Sequence, residues 1–233
     1  MKRVAGVDGC PGGWIAVIWG SRVEHRLCRG FQEILGLDAS VIAVDMPIGF
    51  LTMDGPGGRR SEQSLRNILK GKTSSVFAAP ARAVITAHPK THAEACRINR
   101  RHSDPPKSIS RQSFNIMGKM IEVDGLITPE LQNRVFETHP EASFAMMNGG
   151  RPIIENKKSR EGHGLRLEAL VSAGFPLNLL PLPDYRKRDV ASDDLIDACA
   201  CAWSARRILE GRSRRFPAEP NLDGKGLRME INA

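Results

Sequence analysis

The first fifty residues predict an α/β fold built on a mixed sheet, and three observations carry that prediction. Short apolar runs at Val4–Val7, Trp14–Trp19 and Val23–Leu27 are separated by glycine-bearing turns, the pattern of an antiparallel meander. Phe31–Leu37 follows with helical spacing, placing Phe31, Ile34 and Leu35 on one face. Val41–Val44 is then apolar without alternation, which suits a strand buried between two helical layers. The expected order is strand, strand, strand, helix, strand.

Beyond this core, residues 52–62 are rich in Gly and Arg and read as a loop. Ser61–Leu69 reads as a short helix stopped near Gly71. Residues 84–124 read as largely helical, broken near Asp104-Pro105-Pro106, so about 52–130 forms a helical and loop insertion. Val135–Thr138 is a further strand, and Arg166–Ala173 a helix ended by Gly174 and Pro176. A last helix runs from Ser192, a good N-cap, to about Glu210, with Leu195, Ala198, Cys199, Ala202 and Leu209 as its apolar stripe. Residues 217–233 show no periodicity and read as an irregular tail. The whole, 1–233, is expected to be one domain.

Composition narrows the function classes. Of 233 residues, 41% are hydrophobic and 26% charged, which excludes disordered, collagen-like and coiled-coil chains. Lys and Arg exceed Asp and Glu by 34 to 26, a net +8 that favours polyanionic partners, nucleic acid above all. Aromatics are only 5%, too few for a single-strand binder that stacks bases on exposed rings. Cys10, Cys28, Cys96, Cys199 and Cys201 form no CxxC pair and are odd in number, so reduced thiols and a cytoplasmic location are expected. No apolar run reaches membrane length, and no membrane partner is expected. Oligomeric state is left open, a homodimer among the options.

Carboxylates gather where structure alone does not need them. Asp8 closes the first strand and Asp45 the fourth, and strand ends of an open α/β sheet face its ligand crevice. The bland alternative for both is turn chemistry. In the last helix, Asp193 and Asp194 are explained by the favourable dipole of a first turn. Asp197 is not: Ala200 and Cys201 offer it no cation, while Asp193 and Asp194 repel it. Two strand-end aspartates with Asp194 and Asp197 form an oxygen-rich set suited to Mg²⁺ or Mn²⁺, and a pair of such ions can clamp a phosphoryl displacement.

The blocks Gly6-Val7-Asp8-Gly9-Cys10-Pro11-Gly12-Gly13-Trp14 and Val44-Asp45-Met46-Pro47-Ile48-Gly49 resemble the family catalogued as domain of unknown function 429. So do Ser74-Ser75-Val76-Phe77 with Pro80, Glu137-Thr138-His139-Pro140-Glu141, and Asp193-Asp194 to Asp197-Ala198. The resemblance implies a ribonuclease-H-like fold, three antiparallel strands plus parallel strands flanked by helices. It also implies a divalent-metal-dependent nuclease with Asp8, Asp45, Asp194 and Asp197 as metal ligands. Ser61-Glu62 stands where many relatives carry Cys-Asp, which puts a thiol role in doubt.

Other residues are candidates around this centre. Glu137 or Glu141 could add a ligand or general base, with His139 as a proton shuttle; the sequence does not decide which carboxylate faces the metal. Lys157, Lys158, Arg59 and Arg66 are candidate phosphate contacts, against the alternative of a solvated basic face. Arg97, Arg100, Arg101, Lys107 and Arg111 form a second basic cluster weighed the same way. His88, His92 and Cys96 have helical zinc spacing, but Pro89 interrupts them and a fourth ligand is lacking. Gly55–Gly58 lacks the Lys-Ser/Thr of a P-loop. Two alternatives accompany the nuclease: a nucleotide- or ATP-binding protein of the actin and sugar-kinase type, and a non-catalytic nucleic-acid-binding protein.

Overall fold

The computed structural model describes residues 2–181 and 183–233. Its centre is a five-stranded sheet in the order β3-β2-β1-β4-β5. Strands β1 (Val4–Cys10), β2 (Gly13–Trp19) and β3 (Val23–Cys28) pair antiparallel, while β4 (Val41–Val44) and β5 (Val135–Glu137) continue the sheet in parallel from β1. Helix α1 (Phe31–Leu35) links β3 to β4. The insertion contains α2 (Arg60–Ile68), α3 (Arg82–Ala87), α4 (His92–Arg101), α5 (Arg111–Asn115) and α6 (Met117–Leu126). After β5 come α7 (Pro140–Met147), α8 (Arg160–Ser172) and α9 (Ser192–Leu209).

Alternation along the strands assigns residues to two helical layers. Ala5, Val7, Trp14, Ala16, Ile42, Val44 and Val135 pack with Phe31, Met120 and Val123, so α1 and α6 cover that face. Ile15 and Val17 pack instead with Ala198 and Ala202 of α9, and Val4, Val41 and Ala43 with its Ala205. The second face is therefore covered by α9, backed by α7 and α8.

The close approach of α9 depends on Gly6. A Cβ there would lie 1.9 Å from the Ala202 backbone nitrogen and 2.2 Å from the Ala198 oxygen, so no side chain fits between strand and helix. Small residues on the helix, Ala198, Cys201 and Ala202, complete the fit. The contact presses the N-terminal half of α9 against β1.

Three readings from the sequence need correction. Residues assigned to an irregular tail form a hairpin, β6 (Arg215–Leu222) with β7 (Arg228–Asn232), which buries Phe216 and Ile231 against Leu65 and Ala142. Pro217 and Pro220 and a register irregularity between Phe216 and Asn221 erase its alternation. Helix α9 is capped at Ala191, not Ser192, and the Asp194 carboxylate reaches back to accept from the Ala191 N–H at 2.9 Å. The break expected at Pro89 does fall between His88, which ends α3 in a left-handed conformation (φ 50°), and His92, which begins α4. Helix α7 has no counterpart in the sequence reading, and α8 begins six residues earlier than expected, at Arg160 rather than Arg166.

Candidate active site

Strand β1 continues to Cys10 against β2, but its parallel pairing with β4 ends at Val7 and Val44. Asp8 and Asp45 thus stand one residue past the last rung, side by side, with the Asp45 N–H donating to the Val7 oxygen at 2.9 Å. Alternation places Asp8 on the face of Val4 and Gly6, and Asp45 on the face of Val41 and Ala43. Both therefore face α9, whose first turns carry Asp194 and Asp197. The sequence-predicted set of four aspartates does line one pocket, of about 210 Å³.

Two of the four are buried, Asp8 at 8% and Asp197 at 4% exposed, while Asp45 and Asp194 are half-buried. Asp8 Oδ1 accepts from the Gly9 N–H at 2.8 Å, leaving Oδ2 without a partner among the described residues. No described residue donates to the Asp45 carboxylate. Burial, then repulsion from Asp45, Asp197 and Asp194, pushes the Asp8 carboxyl well above its ordinary range. Burial lifts Asp45 to about 7 and Asp197 to about 6, with Lys157 working against the rise in both, and burial also raises Asp194. Carboxylates held together with this little compensation favour a cation among them.

One cation is built in. Lys157 Nζ lies 2.6 Å from Asp197 Oδ2 and 3.4 Å from Asp193 Oδ2. Burial opposes its charge, but Asp197 outweighs burial and holds the pKa above the ordinary lysine value. Asp197 therefore has a partner after all, supplied by a loop forty residues earlier and invisible to helical spacing. Lys157 faces the acidic centre instead of standing free as a phosphate contact. Lys158 beside it is exposed.

Arg59 is likewise not a surface contact. It is 2% exposed and donates to Glu137 at 2.6 and 2.9 Å and to Glu62 at 2.8 Å. Burial works against its charge, and Glu137 and Glu62 outweigh it. Glu137 sits on the Val135 face, away from α9, and its remaining acceptor capacity takes the Ile48 N–H at 2.7 Å. It lines the pocket wall with both oxygens committed. Glu141 is bound by Arg166 at 2.7 and 2.9 Å. His139 Nδ1 accepts from the Glu141 N–H and its Nε2 meets the Ser75 oxygen at 3.2 Å, so neither nitrogen is free to shuttle protons. Burial lowers its pKa, in keeping with a neutral ring. Arg66 is spent on the Val76 and Gly57 carbonyls.

Two polar residues of the pocket escaped the sequence reading, Gln112 of α5 and Lys119 of α6. Lys119 Nζ lies 4.8 Å from the centre of the Trp14 ring, and its stem passes over Gly9, where a Cβ would come within 2.6 Å of Lys119 Cδ. The available signal was a single lysine between the buried Met117 and Met120.

Hard, buried carboxylate oxygens are the donor chemistry of Mg²⁺ and Mn²⁺. Asp8 Oδ2, the Asp45 oxygens and Asp197 Oδ1 are uncommitted among the described residues. As the side chains stand, with Lys157 among them, no three His, Cys, Asp or Glu of the described residues are grouped closely enough to hold a metal ion. The donor set fits such an ion in kind, and loading it would require the carboxylates to draw together.

A family model described as "Protein of unknown function (DUF429)" matches residues 6–222, and the chain belongs to that family. No curated protein and no solved structure matches it. No helix among the described residues is long and apolar enough to cross a membrane.

Proposed function

We propose that this member of the DUF429 family is a divalent-metal-dependent nuclease that hydrolyses phosphodiester bonds of nucleic acid. The observation that carries this is the meeting of Asp8, Asp45 and Asp197, from two adjacent parallel strands and the helix packed on them, in one pocket where burial raises all three pKa values and repulsion from Asp45 adds to the rise at Asp8 and Asp197. The strand order β3-β2-β1-β4-β5, antiparallel then parallel, supports a ribonuclease-H-like reading of the fold. The net charge of +8 supports a polyanionic substrate.

Asp8, Asp45 and Asp197 would hold Mg²⁺ or Mn²⁺, with Asp194 beside them. When bound, the ion would acidify a water and offset charge on the reacting phosphoryl group. The chain's own residues do the rest. Gln112, on the wall supplied by the insertion, is placed to bind a phosphate oxygen, while the Lys119 ammonium beside it is held by the Gly13 carbonyl over the Trp14 ring. The buried Arg59–Glu137 pair holds the Ile48–Gly49 turn through the Ile48 and Gly49 carbonyls, and so fixes the backbone that follows Asp45.

The kinase-like alternative ordinarily needs two such domains facing each other, and the described residues contain one five-stranded sheet. The deciding experiment is cleavage of labelled RNA and DNA, single-stranded and duplex, with Mg²⁺, Mn²⁺ or EDTA. Metal-dependent cutting abolished by Asp8→Asn and by Asp45→Asn is expected. Binding without cleavage in any metal would leave a nucleic-acid binder, and ATP binding with no nucleic-acid affinity would favour the kinase-like reading.

A further inference from the structure

We infer that Lys157 serves as one of the two cations of the acidic centre, so that the centre takes a single divalent ion per chain instead of a pair. This rests on the metal-dependent reading above and goes beyond it by assigning the stoichiometry and the residue that sets it.

The ammonium is not a wandering surface charge. Its loop is tied on both sides: Lys72 Nζ donates to the Ile154 and Glu155 oxygens at 3.0 and 2.9 Å, and Arg166 donates to the Glu155 oxygen at 3.2 Å. Directly after Lys157, the Lys158 N–H donates to Asn156 Oδ1 and the Ser159 N–H to the Asn156 oxygen, both at 2.9 Å. Ser159 then caps α8, and Gly162 leaves room for the turn, since a Cβ there would meet the Asn156 oxygen at 2.2 Å. The backbone at Lys157 is therefore fixed, and its side chain reaches Asp197 at 2.6 Å and Asp193 at 3.4 Å.

The ammonium takes the helix side of the centre. Asp197 Oδ2 is engaged by it, and Asp194 Oδ2 by the Ala191 N–H. The oxygens left uncommitted on the strand side are those of Asp8 and Asp45, which with Asp197 Oδ1 would have to draw together to anchor one ion. In two-metal centres the ions stand about 3.5–4 Å apart and share a carboxylate. A second dication on the helix side would have to occupy the ground that the ammonium holds or sit against its charge. A tethered monovalent cation in that position offsets the carboxylate charge of the helix side while requiring no second ion.

Manganese titration of the full-length wild-type protein, by calorimetry and by electron paramagnetic resonance of free Mn²⁺, reads the stoichiometry directly. One Mn²⁺ per chain is expected, and two would overturn the inference while leaving the nuclease reading standing. No binding at all would sink both. Acetylation of lysines, followed by mass spectrometry with and without saturating Mn²⁺, asks whether the ammonium stays. Lys157 should react several-fold more slowly than Lys158 in both conditions. Fast reaction of Lys157 once Mn²⁺ is bound would mean that the metal displaces it, and the inference fails. Lys157→Ala should admit a second Mn²⁺ while Lys158→Ala keeps one, and a folded Lys157→Ala that still takes one Mn²⁺ also counts against it. Should that variant not fold, the two wild-type readouts decide.

Discussion

Asp45 and Asp197 are, with Asp8, among the carboxyls that shape the pH response of the metal-free protein. Both are lifted by burial, Asp45 from 3.8 to about 7. A carboxyl whose folded pKa exceeds its unfolded one binds more protons in the folded state, so stability falls as pH rises between the two values and levels off above the higher. The affected window for Asp45 is therefore about pH 4 to 7. Urea unfolding of wild type and Asp45→Asn without metal should show the variant gaining stability relative to wild type across that window, by roughly a few kcal/mol in total. A constant difference from pH 4 to 8 would mean that Asp45 is not a strained, buried carboxylate. Arg59 makes the opposite case, a residue whose sequence context suggested phosphate contact and whose setting is wholly internal. Removing it strands Glu137 and Glu62 as buried charges, so Arg59→Ala should cost about 3–5 kcal/mol in chemical denaturation. Arg59→Lys should rescue little, because one ammonium cannot reproduce the fork that serves both carboxylates and the Ile48 and Gly49 carbonyls.

At the scale of elements, the site depends on how closely α9 meets β1. Gly6→Ala should prevent that contact, since its Cβ would fall 1.9 Å from backbone that cannot retreat as a side-chain tip can. Expected is loss of cooperative folding, or a fall in melting temperature far beyond that of any surface change. Gly118→Ala is the matched control: it lies inside α6 with open space around it, and should raise stability by about 0.5–1 kcal/mol through helix propensity. The same contrast explains what was legible in the sequence. Strands β1 to β4 could be read because period and turn chemistry agreed there, and the two strand-end aspartates followed from the strand ends. The face each carboxylate takes was readable in principle from alternation, and it separates Asp8 and Asp45 from Glu137. What stayed hidden was long-range pairing: Lys157 with Asp197, Arg59 with Glu137 and Arg166 with Glu141 bring together residues 40, 78 and 25 positions apart. The hairpin β6–β7 stayed hidden for a local reason, two prolines that break the alternation of β6.

For the whole molecule, the net charge of +8 has to be reconciled with a pocket lined by aspartates. Several of the basic residues are spent internally: Arg59 and Arg166 on buried glutamates, Arg206 on the Lys2 and Trp19 carbonyls, Lys157 on Asp197. If the chain binds a polyanion as proposed, exposed cations have to supply the attraction, and Lys158, next in chain to Lys157, is one of them. Its charge also acts on Asp194, so it stands within electrostatic reach of the centre. Each phosphate neutralised releases condensed counterions, and the slope of log affinity against log salt falls by about 0.9 per contact on duplex DNA and about 0.7 on single strands. Lys158→Ala, measured from low to moderate salt on an uncleavable oligonucleotide, should make the slope shallower by about one such unit. Lys157→Ala should leave the slope nearly unchanged, because its ammonium already balances a carboxylate and has no phosphate counterions to release. If instead Lys157→Ala flattens the slope and Lys158→Ala does not, the ammonium leaves Asp197 to meet substrate, and the division between internal and external charge drawn here is wrong.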